Sequence, residues 1–268
     1  MSEQAVAAKA DMEAIRPINV VTWKDKLAAY KKRPLSMFLL MAVTVSAVIT
    51  VGVLGALVIY ILANGIMNLS PELFAWKYTT ENVSMLPAII NTFLMTALSL
   101  LIAVPIGICS AIYLVEYAKR GNKLVSIVRI TTETLSGIPS IVYGLFGYLM
   151  FVIAFGWGLS FFGGALTLSI MVLPTIMRTT EEALLSVPDS YREGSFGLGA
   201  GRLRTIFKVV LPSAVPGILS GVILAIGRIV GETAALIFTS GTTAEIPKSL
   251  FDSGCTLAVH MYLSLIHI

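Results

Sequence analysis

An all-α polytopic membrane protein is the fold class this sequence predicts, and three observations predict it. The chain is 56% hydrophobic and 13% charged, with mean hydropathy +0.87. A soluble domain carries about a quarter charged residues, and a globule of 268 residues could not hide this much apolar surface. The charges are gathered into short stretches that separate long charge-free windows. Basic residues alternate between those stretches: seven in residues 1–33, one in 68–85, four in 116–133, none in 157–164, five in 178–208 and one in 239–254. Lys and Arg mark the cytoplasmic side of a membrane, so the N-terminus and the second and fourth connections are expected inside. The net charge of +4 then belongs to cytoplasmic loops, and no nucleic-acid partner is inferred from it.

Residues 1–33 form a polar, mixed-charge tail with no legible chemistry. It is not a cleavable leader, because the apolar stretch that follows is too long and lacks a small-residue cleavage site. The first span lies within Leu35–Met67, since no charge occurs between Arg33 and Glu72 and about 20 apolar residues cross a bilayer as a helix. Residues 68–86 are a polar outer loop. The second span runs from Leu86 to Val115, with Pro105 inside it as a potential kink. The window Thr134–Met177 holds 44 residues without a charge, enough for two spans. Gly156-Trp157-Gly158 and Gly163-Gly164 bracket the turn between them, and the fourth span is expected to end near Met177. A fifth span covers Ala214–Phe238. Cys255–Ile268 is too short to cross again. Cys109 and Cys255 show no pairing or metal spacing, and Cys109 is expected to be a buried free thiol. No metal site and no catalytic group are expected.

The loop 178–212 organises the chain. It carries five basic and four acidic residues between two apolar runs. Pro188 breaks the chain, and Ser190 with Glu193 makes an S-x-x-E capping box that starts a short helix. Gly194, Gly197, Gly199 and Gly201 suit a helix end and a sharp bend. A second amphipathic stretch, Arg202–Val210, leads to Leu211-Pro212. A helix, a bend and a helix on the basic side suggest a docking surface. The glycines are no nucleotide loop: no strand precedes them and the chain has no G-K-[ST], so ATP must be handled elsewhere.

Arg228 and Glu232 lie inside the fifth span. An arginine at a helix centre costs about 2.5 to 3.5 kcal/mol on insertion scales. At spacing four the two share a helical face and can pair. Two readings are open: a structural ion pair or a snorkelling arginine, and an anion site in which the guanidinium fork fits phosphate oxygens while Glu232 holds the arginine. Arg178, at the inner end of the fourth span, needs no role beyond its place at a helix C-terminus. Gly217-x-x-x-Gly221 and Gly227-x-x-x-Gly231 are expected to allow close helix contact.

The loop's spacing resembles the EAA loop of bacterial ABC-transporter permeases: Glu193-Gly194-Ser195, then Gly199, then Val209-x-Leu211-Pro212. Two further blocks, Glu133-Thr134-Leu135-Ser136-Gly137-Ile138-Pro139-Ser140-Ile141-Val142-Tyr143-Gly144-Leu145-Phe146-Gly147 and Gly227-Arg228-Ile229-Val230-Gly231-Glu232-Thr233-Ala234-Ala235-Leu236, closely resemble the phosphate-specific permeases. The resemblance runs from about Pro87 to the end. It implies a type-1 ABC importer helix bundle over residues 87–268, behind a tail (1–33) and an extra span with its outer loop (34–86).

The resemblance further implies a permease subunit of an ATP-driven phosphate importer in a bacterial inner membrane. Its implied partners are a second homologous permease, two ATPase subunits that carry ATP and magnesium, and a periplasmic phosphate-binding protein; this chain itself holds no cofactor. Ser190, Glu193, Gly199, Leu211 and Pro212 would couple to the ATPase, and Arg228, Glu232 and Arg178 would serve the anion path. Arginine does not separate phosphate from sulfate, molybdate or phosphonate. A membrane-embedded enzyme acting on an anionic substrate, and a passive channel, are the other classes weighed. Permeases of that family have six spans with both termini inside, whereas five are visible here, so the chain is expected to be cut short after its fifth span.

Overall fold

The computed structural model describes residues 34–67, 70–79, 82–119 and 121–266. The expected tail, 1–33, lies outside them. The chain divides into two units, residues 1–69 and 70–268.

The described part of the first unit is one helix, α1 (Pro34–Met67). Its 34 residues are apolar on every face and none is buried, the pattern of a helix that meets lipid or another protein all round. At 1.5 Å per residue it is about 51 Å long, more than the roughly 30 Å hydrocarbon core. Its polar side chains turn back on the helix: Thr44 and Thr50 donate to the carbonyls of Leu40 and Ser46, each at 2.8 Å. A bilayer offers such groups no other partner.

Among its described residues the second unit's regular structure is all helical. After a short turn at Pro71–Phe74 come α2 (Leu86–Tyr117), α3 (Lys123–Ser136), α4 (Ser140–Ala154), α5 (Phe161–Leu185), α6 (Asp189–Gly197), α7 (Arg202–Val230), α8 (Ala234–Thr239) and α9 (Leu257–Ile266). Among the described residues four helices, α1, α2, α5 and α7, are long and apolar enough to cross a membrane. The bent pair Val125–Ser136 and Ser140–Ala154, at 104°, makes a fifth if it counts as one span.

The most buried span is α5, with α2 and α7 packed on it. Small residues bring the helices close. Ser169 donates to the carbonyls of Ser99 (3.0 Å) and Ala165 (2.6 Å), which ties α5 to α2. A Cβ on Gly217 would lie 2.6 Å from the Ala183 Cβ, and one on Gly221 would overlap Thr179. The first of the two expected glycine pairs therefore does seat α7 against α5. The second does not: Gly227 has nothing within 4 Å. Met95, Leu168, Met171, Val172, Ile176, Ile229 and Leu236 fill the core between these helices, and Leu184, Ile206 and Val210 fill a second one nearer the charged end. At the opposite end Phe151, Phe155, Trp157, Phe162 and Phe251 stack in one cluster, with centroids 5.3 to 6.0 Å apart. Such rings suit a headgroup layer.

Several boundaries depart from the sequence reading. Pro105 sits within α2 without ending it. Cys109 is exposed on α2 rather than buried, while Cys255 is buried. The fourth span does not stop near Met177 but runs to Leu185. Its charged turns are held by ion pairs, Arg178 to Glu182 on the same helix (3.1 Å) and Glu181 to Arg129 of α3 (2.5 Å). The fifth span starts at Arg202 and ends at Val230, eight residues before the expected Phe238. The chain breaks at Gly231–Thr233 before α8. Within Cys255–Ile268, read as too short to cross again, lies α9, which packs on α2: the Leu257 N–H donates to the Thr92 hydroxyl at 2.8 Å.

Candidate functional site

Two places gather the polar chemistry. The first is the charged loop. Pro188 precedes α6, and Asp189 starts it. The expected capping box does not form: Ser190 and Glu193 are exposed and their side chains make no hydrogen bond or ion pair among the described residues. Proline's fixed φ sets the helix entry, and Asp189 puts a carboxylate in the first turn, where the helix dipole favours it. The bend is as the glycines predict. Gly199 has φ +80°, its N–H donates to the Phe196 carbonyl (2.9 Å), and the Ala200 N–H donates to the Ser195 carbonyl (3.1 Å). This is the Schellman closure that needs a left-handed residue. Ser195 and Thr205 share a hydroxyl hydrogen bond of 2.8 Å across the bend, and α7 then runs unbroken through Leu211 and Pro212.

No side chain of α6 is buried. Around it Tyr191, Phe196, Leu198, Leu203 and Phe207 all stand exposed, Leu198 at 91%. Large apolar groups exposed in an otherwise charged segment are the kind of surface that takes part in protein or membrane contacts.

What holds α6 is Arg192, which the sequence reading counted only as a charge. Its Nε and Nη2 donate to Glu116 Oε1 (3.1 and 2.8 Å), its Nη1 to the Val187 carbonyl (2.9 Å) and Asp189 Oδ1 (3.2 Å), and its Nη2 also to the Leu184 carbonyl (3.0 Å). Glu116 is 8% exposed. It was visible in the sequence as the acid that closes the second charge-free window, but nothing in the sequence paired it with Arg192. A groove of about 1160 Å³ opens beside this pair, with Lys119, Lys123, Arg129 and Arg202 on its walls.

The second place is where α4 packs on α8, each of which follows a helix break. Gly137–Pro139 separates α3 from α4, and Gly231–Thr233 separates α7 from α8. The backbone groups at both are satisfied locally: Gly137 N–H to the Thr134 carbonyl (3.2 Å), Ile138 N–H to Leu135 (3.1 Å), Gly231 N–H to Gly227 (3.3 Å) and Glu232 N–H to Ile229 (3.1 Å). Irregular backbone at membrane depth is tolerated where protein or water covers it. The buried Tyr143 donates its hydroxyl to the Leu135 carbonyl (2.7 Å) and lies within electrostatic reach of Arg228.

Arg228 is half-buried and makes no hydrogen bond or ion pair among the described residues. The expected pairing with Glu232 is absent because the helix that would align them ends at Val230. Instead Glu232, 8% exposed, accepts the Ala235 N–H at Oε1 (3.1 Å) and caps α8. Nor does the structure bring Arg178 to Arg228. Arg178 is exposed and occupied by Glu182. Thr179 packs on Gly221, which places Arg228 roughly 10 Å further along the α7 axis at 1.5 Å per residue.

A family model described as the binding-protein-dependent transport system inner membrane component matches residues 103–266. The chain is 37% identical over 258 residues to the probable ABC transporter permease protein YqgI of Bacillus subtilis, covering 89% of this chain and 82% of that one. It is 41% identical over 186 residues to the phosphate transport system permease protein PstA of Pasteurella multocida, covering 67% of this chain and 64% of that one. Against the phosphate transport system permease protein PstA 1 of Mycobacterium tuberculosis it is 38% identical over 179 residues, covering 66% and 58%.

Proposed function

This chain belongs to the family of inner-membrane components of binding-protein-dependent transport systems, and from that premise we propose that it is the permease subunit of an ATP-driven importer of inorganic phosphate. The family makes it a multi-pass transport subunit rather than an enzyme. The observation that carries the substrate reading is Arg228, a guanidinium within a span, unpaired and set between two helix breaks. Burying an unpaired cation is costly, so a site that keeps one open is poised for an anion. A guanidinium binds phosphate oxygens through two parallel N–H donors. The relatives named for phosphate transport support the choice of anion. This chain spans 58% and 64% of the two compared.

In this reading the charged end faces the cytoplasm and the aromatic end the outside. The exposed apolar row around α6 seats on an ATPase that carries the nucleotide and magnesium. Phosphate arrives from a soluble binding protein, passes Arg228 between this chain and a second permease, and is released inside as the spans rock. Glu193, unpaired and exposed, is offered to the ATPase with Tyr191 and Phe196. Arg178 serves at the inner end of the path, where its loose pair with Glu182 leaves it able to exchange partners.

The test is phosphate uptake in cells whose own permease is deleted, complemented with the parent gene, Arg228→Ala or Glu193→Ala at matched membrane levels. Uptake by the parent that is lost in Arg228→Ala supports the path. Normal uptake by Arg228→Ala makes the arginine structural, and a parent that carries sulfate but not phosphate removes the substrate claim while leaving the family intact.

A further inference from the structure

The docking helix has almost nothing to hold it. No side chain of α6 is buried. It is bounded by Pro188 on one side and by the left-handed Gly199 on the other. A helix so placed would swing on its two ends when a partner pushes it, and the push would be lost in the loop.

Arg192 removes that freedom. A guanidinium has five N–H donors, and the five hydrogen bonds of Arg192 account for all of them. They reach three segments. Glu116 belongs to the last turn of α2, a wider i→i+5 turn over Tyr113–Tyr117 in which the Ala118 N–H reaches the Tyr113 carbonyl (3.0 Å). The carbonyls of Leu184 and Val187 lie at and just past the C-terminus of α5, where backbone acceptors lack the full set of intrahelical partners. Asp189 is the first residue of α6 itself. The Arg192 side chain is 15% exposed and that of Glu116 8%. Water therefore screens the pair little, and breaking it strands a buried carboxylate. Around it Arg202 lies over the Tyr117 ring (5.5 Å), and Thr205 holds Ser195, so the start of α7 is drawn into the same knot.

We propose that Arg192, acting through Glu116, is the positioning residue that turns displacement of α6 into displacement of α2 and α5, and so couples ATP use to substrate movement. The proposal rests on the transport reading above. It differs from docking as such: the exposed row makes the contact, and the Arg192–Glu116 pair transmits it.

The experiment uses the complete transporter reconstituted in vesicles with its ATPase, second permease and binding protein. It reads phosphate carried per ATP hydrolysed, and the stimulation of hydrolysis by the binding protein. Arg192→Lys keeps the charge but loses the fork; Glu116→Gln keeps the shape but loses the charge. In each, the transport-to-hydrolysis ratio is expected to fall at least about fivefold, the low end of energetic coupling between sites, in complexes of parental subunit ratio. The double variant should be no worse than the worse single, because both remove one tie. An unchanged ratio in Glu116→Gln, a proportional fall in uptake and hydrolysis, or additive losses would overturn the proposal. If Arg192→Lys does not assemble, Glu116→Gln alone decides. A parent complex that carries no phosphate sinks the substrate reading only, since stimulation of hydrolysis across the variants still judges the tie.

Discussion

Gly144 of α4 and Ala235 of α8 touch backbone to backbone: a Cβ built on Gly144 would lie 2.7 Å from the Ala235 Cα and 3.2 Å from its carbonyl oxygen. Both residues follow a helix break by a few positions, so this contact fixes the two breaks against each other and holds the ground around Arg228. Gly144→Ala forces two backbones apart, a displacement no side-chain rotation relieves. Overpacking of this kind costs about 1–3 kcal/mol. The thermal midpoint of the purified complex should drop for Gly144→Ala and stay level for Gly52→Ala, where a Cβ meets nothing within 4 Å. Equal midpoints would mean that the breaks are not held by this contact.

Glu232 offers a sharper test of the deep site. If its work is to accept the Ala235 N–H and start α8, then Glu232→Gln keeps an acceptor oxygen in the same place and should retain most transport. Glu232→Ala removes the cap, worth roughly 0.5–2 kcal/mol, and leaves the Ala235 N–H unpaired, so uptake should fall severalfold. Were its charge needed to hold or release Arg228, the glutamine variant would fail as badly as the alanine one. Uptake measured at equal membrane levels separates the two.

The span count and the broken third and fifth segments illustrate what the sequence could carry. Charge-free windows locate four of the five expected spans among the described residues, and the fifth only if the bent pair counts as one, because the bilayer taxes every charge in the same way. They give the ends poorly, because an ion pair such as Arg129–Glu181 can extend a helix past the last apolar residue. Gly231 was read only as a packing glycine within a span reaching Phe238, so neither the 104° bend between α3 and α4 nor the end of α7 at Val230 was legible; the packing of α4 on α8 that accompanies them joins segments nearly a hundred residues apart in the chain. For the same reason the spacing of Arg228 and Glu232 suggested a helical pair that the break does not allow. Arg192 was hidden differently. In a loop of nine charges it had no distinguishing neighbour, and its partner Glu116 lies 76 residues away. The Gly199 bend was legible because it depends on one residue's own φ.

That bend can be tested alone. Gly199 at φ +80° is open to added atoms, with nothing within 4 Å, so a side chain there costs backbone strain only. For an L residue in this region the cost is roughly 1–2 kcal/mol. Gly199→Asn, which tolerates the left-handed region, should keep uptake near the parent level, whereas Gly199→Val should lower it. If both variants behave alike, the positive φ is not what the position requires.

The exposed apolar row makes the last prediction. Leu198, at 91% exposure, contributes nothing to the packing of its own chain, so Leu198→Ser should leave the stability of the isolated permease within about 0.5 kcal/mol of the parent, as surface changes do. If the row seats on an ATPase, the same change removes apolar area from that interface, and fully burying such a side chain is worth roughly 1.5–3 kcal/mol. Co-purification of the ATPase should then weaken by about tenfold or more, since 1.4 kcal/mol corresponds to a factor of ten in affinity. Tyr191→Ser should act likewise, while Leu185→Ser, exposed at 60% on the end of α5 outside the row, should not. Retention of the ATPase by both row variants would place its contact elsewhere and leave the apolar row without the role assigned to it.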